Sequence, residues 1–118
     1  EIMYHPIWVG LEDLPIDELV YDSIRATDID VRPHMYANIV LSGGNTLIPN
    51  FAERLEKEVR ELVPTAAKDK VRVEAPEHRQ YAVWIGGAIL ASLPAFKKLV
   101  VTQKEWREAG PESILRTV

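Results

Sequence analysis

Ile39-Val40-Leu41-Ser42-Gly43-Gly44-Asn45-Thr46-Leu47-Ile48-Pro49 is an apolar run, a double glycine, and a proline ahead of an amphipathic stretch. The order reads as the end of a buried strand, a bare backbone turn and a helix start. A helix start presents unpaired N–H groups, and glycine lets a ligand come close to the backbone. Anionic and nucleotide ligands are often held at such turns. A plain strand–turn–helix has the same signature, and turn chemistry alone does not separate the two.

Working outward, residues 49–62 form the clearest predicted helix. Phe51, Leu55, Val59 and Leu62 recur on one stripe. Glu53 with Lys57, and Glu56 with Arg60, place acid four residues before base on the open face, where they read as surface charges. Pro64 stops the helix, and residues 66–69 read as a loop. Residues 70–75 alternate and predict a strand with one wet face. On the other side of the opening stretch, the continuous run at residues 39–41 suits a strand covered on both faces. Ahead of it, residues 34–37 read as one helical turn. Ile16, Leu19, Val20 and Ile24 follow helical spacing, with Asp13 as cap and Pro15 in the first turn. Asp28 and Asp30 have no third oxygen ligand at calcium-loop spacing and read as a solvated turn.

The ends are less regular. Ile7, Trp8 and Val9 form an apolar tip between Pro6 and Gly10, either tucked into a core or exposed to a partner. Residues 81–93 are apolar nearly all round, which predicts a helix buried on most sides. Gly86 and Gly87 in its interior imply close approach by a segment or ligand, or tight helix packing. Residues 99–101 read as a short strand. Thr102 with Glu105 forms a capping box for a last helix, 103–109, ended by Gly110-Pro111 and followed by an amphipathic tail, 112–118.

Composition limits the function classes. The chain has 118 residues, enough for one domain or a piece of a larger one, and 47% hydrophobic residues, enough for a core. A net charge of −4 with no basic block argues against nucleic acid as a partner. There is no cysteine, so disulfides and cysteine-held zinc are excluded. His5, His34 and His78 have no partner at metal-ligand or triad spacing and read as structural or surface residues. No apolar run reaches the ~18 residues of a membrane helix. The opening, without methionine or polar lead-in, suggests an excised part.

Two blocks carry a resemblance. Tyr36-Ala37-Asn38-Ile39-Val40-Leu41-Ser42-Gly43-Gly44-Asn45-Thr46 resembles the second glycine-turn signature of actins, and so does Tyr81-Ala82-Val83-Trp84-Ile85-Gly86-Gly87-Ala88-Ile89-Leu90-Ala91-Ser92-Leu93. Asp28-Ile29-Asp30-Val31-Arg32, Lys104-Glu105-Trp106 and Gly110-Pro111 also resemble actin. The likeness covers essentially the whole chain and points to the C-terminal third of an actin, with Trp8 in the loop called the hydrophobic plug.

This resemblance implies an α/β fold, a partial actin-like ATPase domain of the actin, hexokinase and heat-shock chaperone superfamily, with short strands and packed helices. Residues 1–80 would form the inner part beside the nucleotide cleft and 81–118 the outer part. Gly43, Gly44, Asn45, Leu47, Ile48 and Gln80 would contribute to an adenosine pocket for ATP or ADP. Here Ile48 stands where actins usually have tyrosine, Gln80 where they have lysine, Asn45 for threonine and Asn50 for glycine. Magnesium ligands and catalytic groups would lie outside this chain, so the chain alone is expected to hydrolyse nothing. Ile85, Ile89, Leu90, Leu93, Ala95 and Leu99 would edge a groove for amphipathic helices of binding proteins, against the competing reading of ordinary core; the reading taken is a mixture, with Trp84 in the core and Ile89, Leu93 and Leu99 at the groove. Other implied partners are the rest of the actin-like molecule and further protomers, through residues 27–31, 64–67 and the Trp8 tip. Neither nucleic acid nor a membrane is implied. The implied role is cytoplasmic and cytoskeletal filament formation; the alternative is an actin-related, non-polymerising subunit of a larger complex. A small-molecule kinase is disfavoured, since nothing resembles a sugar site.

Overall fold

The structure is a computed structural model that describes residues 1–115. The chain divides into two compact units, one of residues Glu1–Ala82 and one beginning at Val83.

The first unit is built around α3, Phe51–Leu62. Phe51, Leu55 and Val59 are buried as one stripe, and Val63 continues it past the helix end. Onto that stripe pack α1 (Ile16–Arg25) and, beyond a short α2 (Arg32–Tyr36), the strand pair β1 (Ile39–Val40) and β2 (Val73–Glu74). The strands run parallel, with Ile39 opposite Val73 and Val40 opposite Glu74. Flanking bonds from the Ile39 amide to the Arg72 carbonyl (3.2 Å) and from Leu41 to Glu74 (2.8 Å) extend the ladder. Val71 and Val73 turn inward while Arg72 and Glu74 face water, as the alternation predicts, although the paired strand is only two residues long.

Several local expectations give way to other devices. Asp13 does not cap α1; Pro15 occupies the N-cap with no side-chain bond, and the Ile16 amide reaches the Met3 carbonyl instead (2.9 Å). The C-terminal end of α1 is closed by the connector 27–33. There the Thr27 hydroxyl donates to the Ile24 carbonyl (2.7 Å), and Arg32 donates twice to the Thr27 carbonyl (3.0 and 3.1 Å). Residues 66–69 are not a plain loop: Thr65–Lys68 forms one helical turn, α4. Nor is residue 40 covered. Leu41 is 6% exposed, but Val40, on the opposite face, is 59% exposed. Side chains alternate across a strand, and α3 covers only one face of this pair.

Glu56 and Arg60 are more than surface charges. Their carboxylate and guanidinium meet at 2.5 Å; Glu56 also accepts from the Val73 amide (3.0 Å), and Arg60 donates to the Lys68 (3.2 Å) and Val71 (3.4 Å) carbonyls. The pair therefore ties α3 to α4 and β2. Glu58 engages Arg54 at 3.5 Å, an i,i+4 pair in the reverse order.

In the second unit, α5 spans Ala82–Ser92. The expectation of burial fails: Val83 is 80% exposed and Trp84 76%. An all-round apolar helix needs neighbours on every side, and the described chain supplies few. Around Gly86 and Gly87 the space a Cβ would occupy is open, so among the described residues neither glycine admits a close neighbour. Residues 99–101 form no strand; Pro94–Lys98 is a 3-10 turn followed by irregular backbone. A strand requires a partner for its N–H and C=O groups. The capping box is present as predicted. Before α6 (Gln103–Ala109), the Thr102 hydroxyl accepts from the Glu105 amide (3.2 Å), and the Glu105 carboxylate accepts from the Thr102 amide (2.7 Å). Gly110 ends α6 at φ 60°, and α7 occupies Glu112–Leu115. Residues 116–118 of the predicted tail lie outside the described residues.

Candidate functional site

Gly43 has φ 93° and ψ 156°, backbone that side chains with a Cβ rarely adopt. It starts a 3-10 turn, Gly44–Leu47, and Ile48 closes it. This replaces the helix start expected after the glycines, since α3 begins only at Phe51. The intervening residue Asn50 sits at φ 61° in the left-handed region, which asparagine tolerates through its short polar side chain. A one-turn 3-10 helix contributes little dipole, so an anion cradle at a helix N-terminus is not formed here.

A second 3-10 turn, Arg79–Tyr81, packs against the first. The Gly43 amide donates to the Arg79 carbonyl at 2.9 Å, and the Ser42 hydroxyl to the same oxygen at 3.5 Å. In return, the Arg79 side chain reaches Thr46: Nε to the hydroxyl at 3.0 Å and Nη2 to the carbonyl at 3.1 Å. The Thr46 hydroxyl closes the ring by donating to the Gly43 carbonyl (2.7 Å). The two contact turns thus bring Gly43, Gly44, Asn45, Leu47, Ile48 and Gln80 into one neighbourhood. Leu47 and Ile48 expose apolar side chains, no atom lies within 4 Å of a Cβ built on either glycine, and the Gln80 Oε1 is buried without a hydrogen-bond partner.

A family model described as Actin matches residues 1–118. The chain belongs to the actin family. Its mixed architecture, helices packed on a small parallel sheet, is compatible with part of an actin-like domain.

The six groove residues of this actin-family chain are only partly gathered. A shallow cleft of about 360 Å³ is lined by Ile85, Ile89 and Leu93 together with Trp84, Ala88 and Ser92. Leu90, Ala95 and Leu99 are exposed but lie outside that lining. Trp84, expected in the core, is instead a wall of the cleft. The tip Ile7-Trp8-Val9 is exposed, with the Trp8 ring stacked on His5 at 4.5 Å between centroids.

Arg79 was hidden in the sequence. It lies in a polar connector with no periodic signal, and only the hydrogen-bond demand of the glycine turn points to it. Groups with displaced pKa lie elsewhere. Burial pushes the Tyr4 and Tyr36 hydroxyls up, and the Thr102 hydroxyl and amide hold the Glu105 carboxyl below its usual value. Among the described residues no three His, Asp or Glu side chains cluster as a metal site would require, and no single helix is long and apolar enough to cross a membrane.

Proposed function

We propose that this chain is the C-terminal part of an ATP-binding, filament-forming actin-family protein of the cytoplasmic cytoskeleton, and that the paired turns form one wall of its adenosine pocket. The observation that carries this reading is the buried, partnerless Gln80 oxygen in a turn bonded to the open Gly43–Gly44 backbone. An acceptor left unpaired is costly unless something donates to it. A ribose hydroxyl or an adenine amine has the matching donor, so the residues fit the nucleoside end of ATP or ADP. Gly43 and Gly44 would approach it by backbone, Leu47 and Ile48 would supply apolar contact, and Asn45 and Gln80 would supply amides. Bound ATP, with magnesium held by residues outside this chain, would supply the phosphoryl group for hydrolysis. This chain's part is to bind and orient the nucleoside; it contributes no catalytic group.

The remaining surfaces follow from the same reading. Ile85, Ile89 and Leu93 would receive amphipathic helices of actin-binding proteins, with Leu90, Ala95 and Leu99 on the groove's margin. Residues 27–31 and 64–67 and the Trp8 tip would meet other protomers. The Ile48 and Gln80 departures favour a second reading, an actin-related subunit of a larger complex that does not polymerise. Turnover tests the division of labour within the protein, and sedimentation separates the two readings. ATP turnover by the full-length protein but not by the isolated chain supports the division of labour, whereas robust turnover by the isolated chain overturns it. Pelleting of the full-length protein with ATP and magnesium supports the filament; failure to pellet under any nucleotide condition favours the complex subunit.

A further inference from the structure

The charge of Arg79 is committed to neutral oxygens. Besides its two bonds to Thr46, its Nη1 lies 3.1 Å from the Pro76 carbonyl and 3.4 Å from that of Ala75. Among the described residues no carboxylate pairs with it. A guanidinium used this way is a clamp: its planar fork ties its own segment to the oxygens of Thr46, 33 positions earlier in sequence. The clamp acts on both sides of the adenosine wall. Its side chain fixes Thr46, whose hydroxyl fixes Gly43; its carbonyl holds the Gly43 amide; and the next residue in the chain is Gln80.

We infer that Arg79 is a positioning residue that sets the spacing between the Gly43–Gly44 turn and the Gln80 amide, so that nucleotide affinity depends on it although it makes no contact with nucleotide. This rests on the adenosine-pocket reading above. Lysine cannot replace it. A single ammonium is a compact point charge and cannot reproduce the two-pronged contact with the Thr46 hydroxyl and carbonyl. Serine at position 46 keeps the hydroxyl, whereas valine keeps the shape and removes it.

The test is calorimetric titration of ADP with magnesium into the full-length protein and its variants. Arg79→Lys and Thr46→Val each weaken binding about tenfold, the size of one lost hydrogen bond to a charged group. Thr46→Ser binds like wild type. Gln80→Ala weakens binding on its own but adds nothing to Arg79→Lys, because the amide is already out of place. A clamp that only stabilised the fold would lower the unfolding midpoint and leave the two effects on affinity additive. Wild-type affinity in Arg79→Lys, or additive losses in the double variant, overturns the positioning role. Absence of ADP binding by the wild-type protein removes the pocket reading itself, and this inference with it. Amide exchange gives an independent readout. In Arg79→Lys, protection is lost over residues 43–47 and kept at Ile39 and Leu41; unchanged protection at 43–47 also overturns the inference.

Discussion

Gly43 and Gly44 look equivalent in the sequence and are not equivalent in the structure. Both have open space where a Cβ would stand, but only Gly43 has positive φ. Gly43→Ala is therefore strained by its backbone rather than by a clash, at about 1–3 kcal/mol. Gly44→Ala should change stability by less than about 1 kcal/mol, since the same backbone angles are open to alanine. Urea midpoints of the two variants check this, and equal midpoints would contradict it. The identity of these glycines as a turn was readable from the apolar run before them. Which of the two bears the strain was not, because that depends on the bond from the Gly43 amide to the Arg79 carbonyl. Glu56 offers a second case. Glu56→Gln removes the charge that Arg60 and the Val73 amide share, and should cost about 1.5–3 kcal/mol in the same measurement.

Helices with a strong internal signal were legible. The α3 stripe and the Thr102–Glu105 box appear where spacing puts them, because both are satisfied by residues three or four apart. Leu55→Ala should cost about 2–5 kcal/mol, since Leu55 is almost fully enclosed and the stripe cannot close over the void. The box makes α6 sensitive to pH. The folded-state pKa of Glu105 is lowered by its bonds from Thr102. Its stabilisation is therefore complete above the unfolded carboxylate value, about 4.3, and is lost as pH falls through the lower folded value. Amide protection over residues 103–109 should drop at that end of the pH range and become flat in Glu105→Gln. Elements defined by distant partners were misread. The residue 99–101 strand, the cover over Val40 and the Asp13 cap were each inferred from local pattern. Among the described residues nothing pairs with residues 99–101 as a strand or covers Val40, and at α1 the Met3 carbonyl takes the Ile16 amide.

The whole chain exposes what an isolated globular domain would bury. Trp8, Trp84 and Trp106, all its tryptophans, are exposed, and so is most of α5. Such surface is sticky. The isolated chain should show water-like tryptophan emission and bind a hydrophobic dye. Replacing Val83 and Trp84 with serine and glutamine should cut dye binding and light scattering without moving the urea midpoint of residues 1–82; a lower midpoint would mean that α5 already supports that unit. The Arg79 clamp also dictates an order of events in time. A chain made from its N-terminus exposes Gly43 long before Arg79 exists. Until position 79 has been synthesised, the glycine turn has nothing to hold its amide or to fix Thr46. The β1–β2 pairing waits in the same way for Val73, while α3 can form as soon as its own residues emerge. The wall assigned to the nucleoside is thus among the last pieces of its unit to be assembled. A nascent chain stalled before residue 79 should carry α3 but no ordered glycine turn.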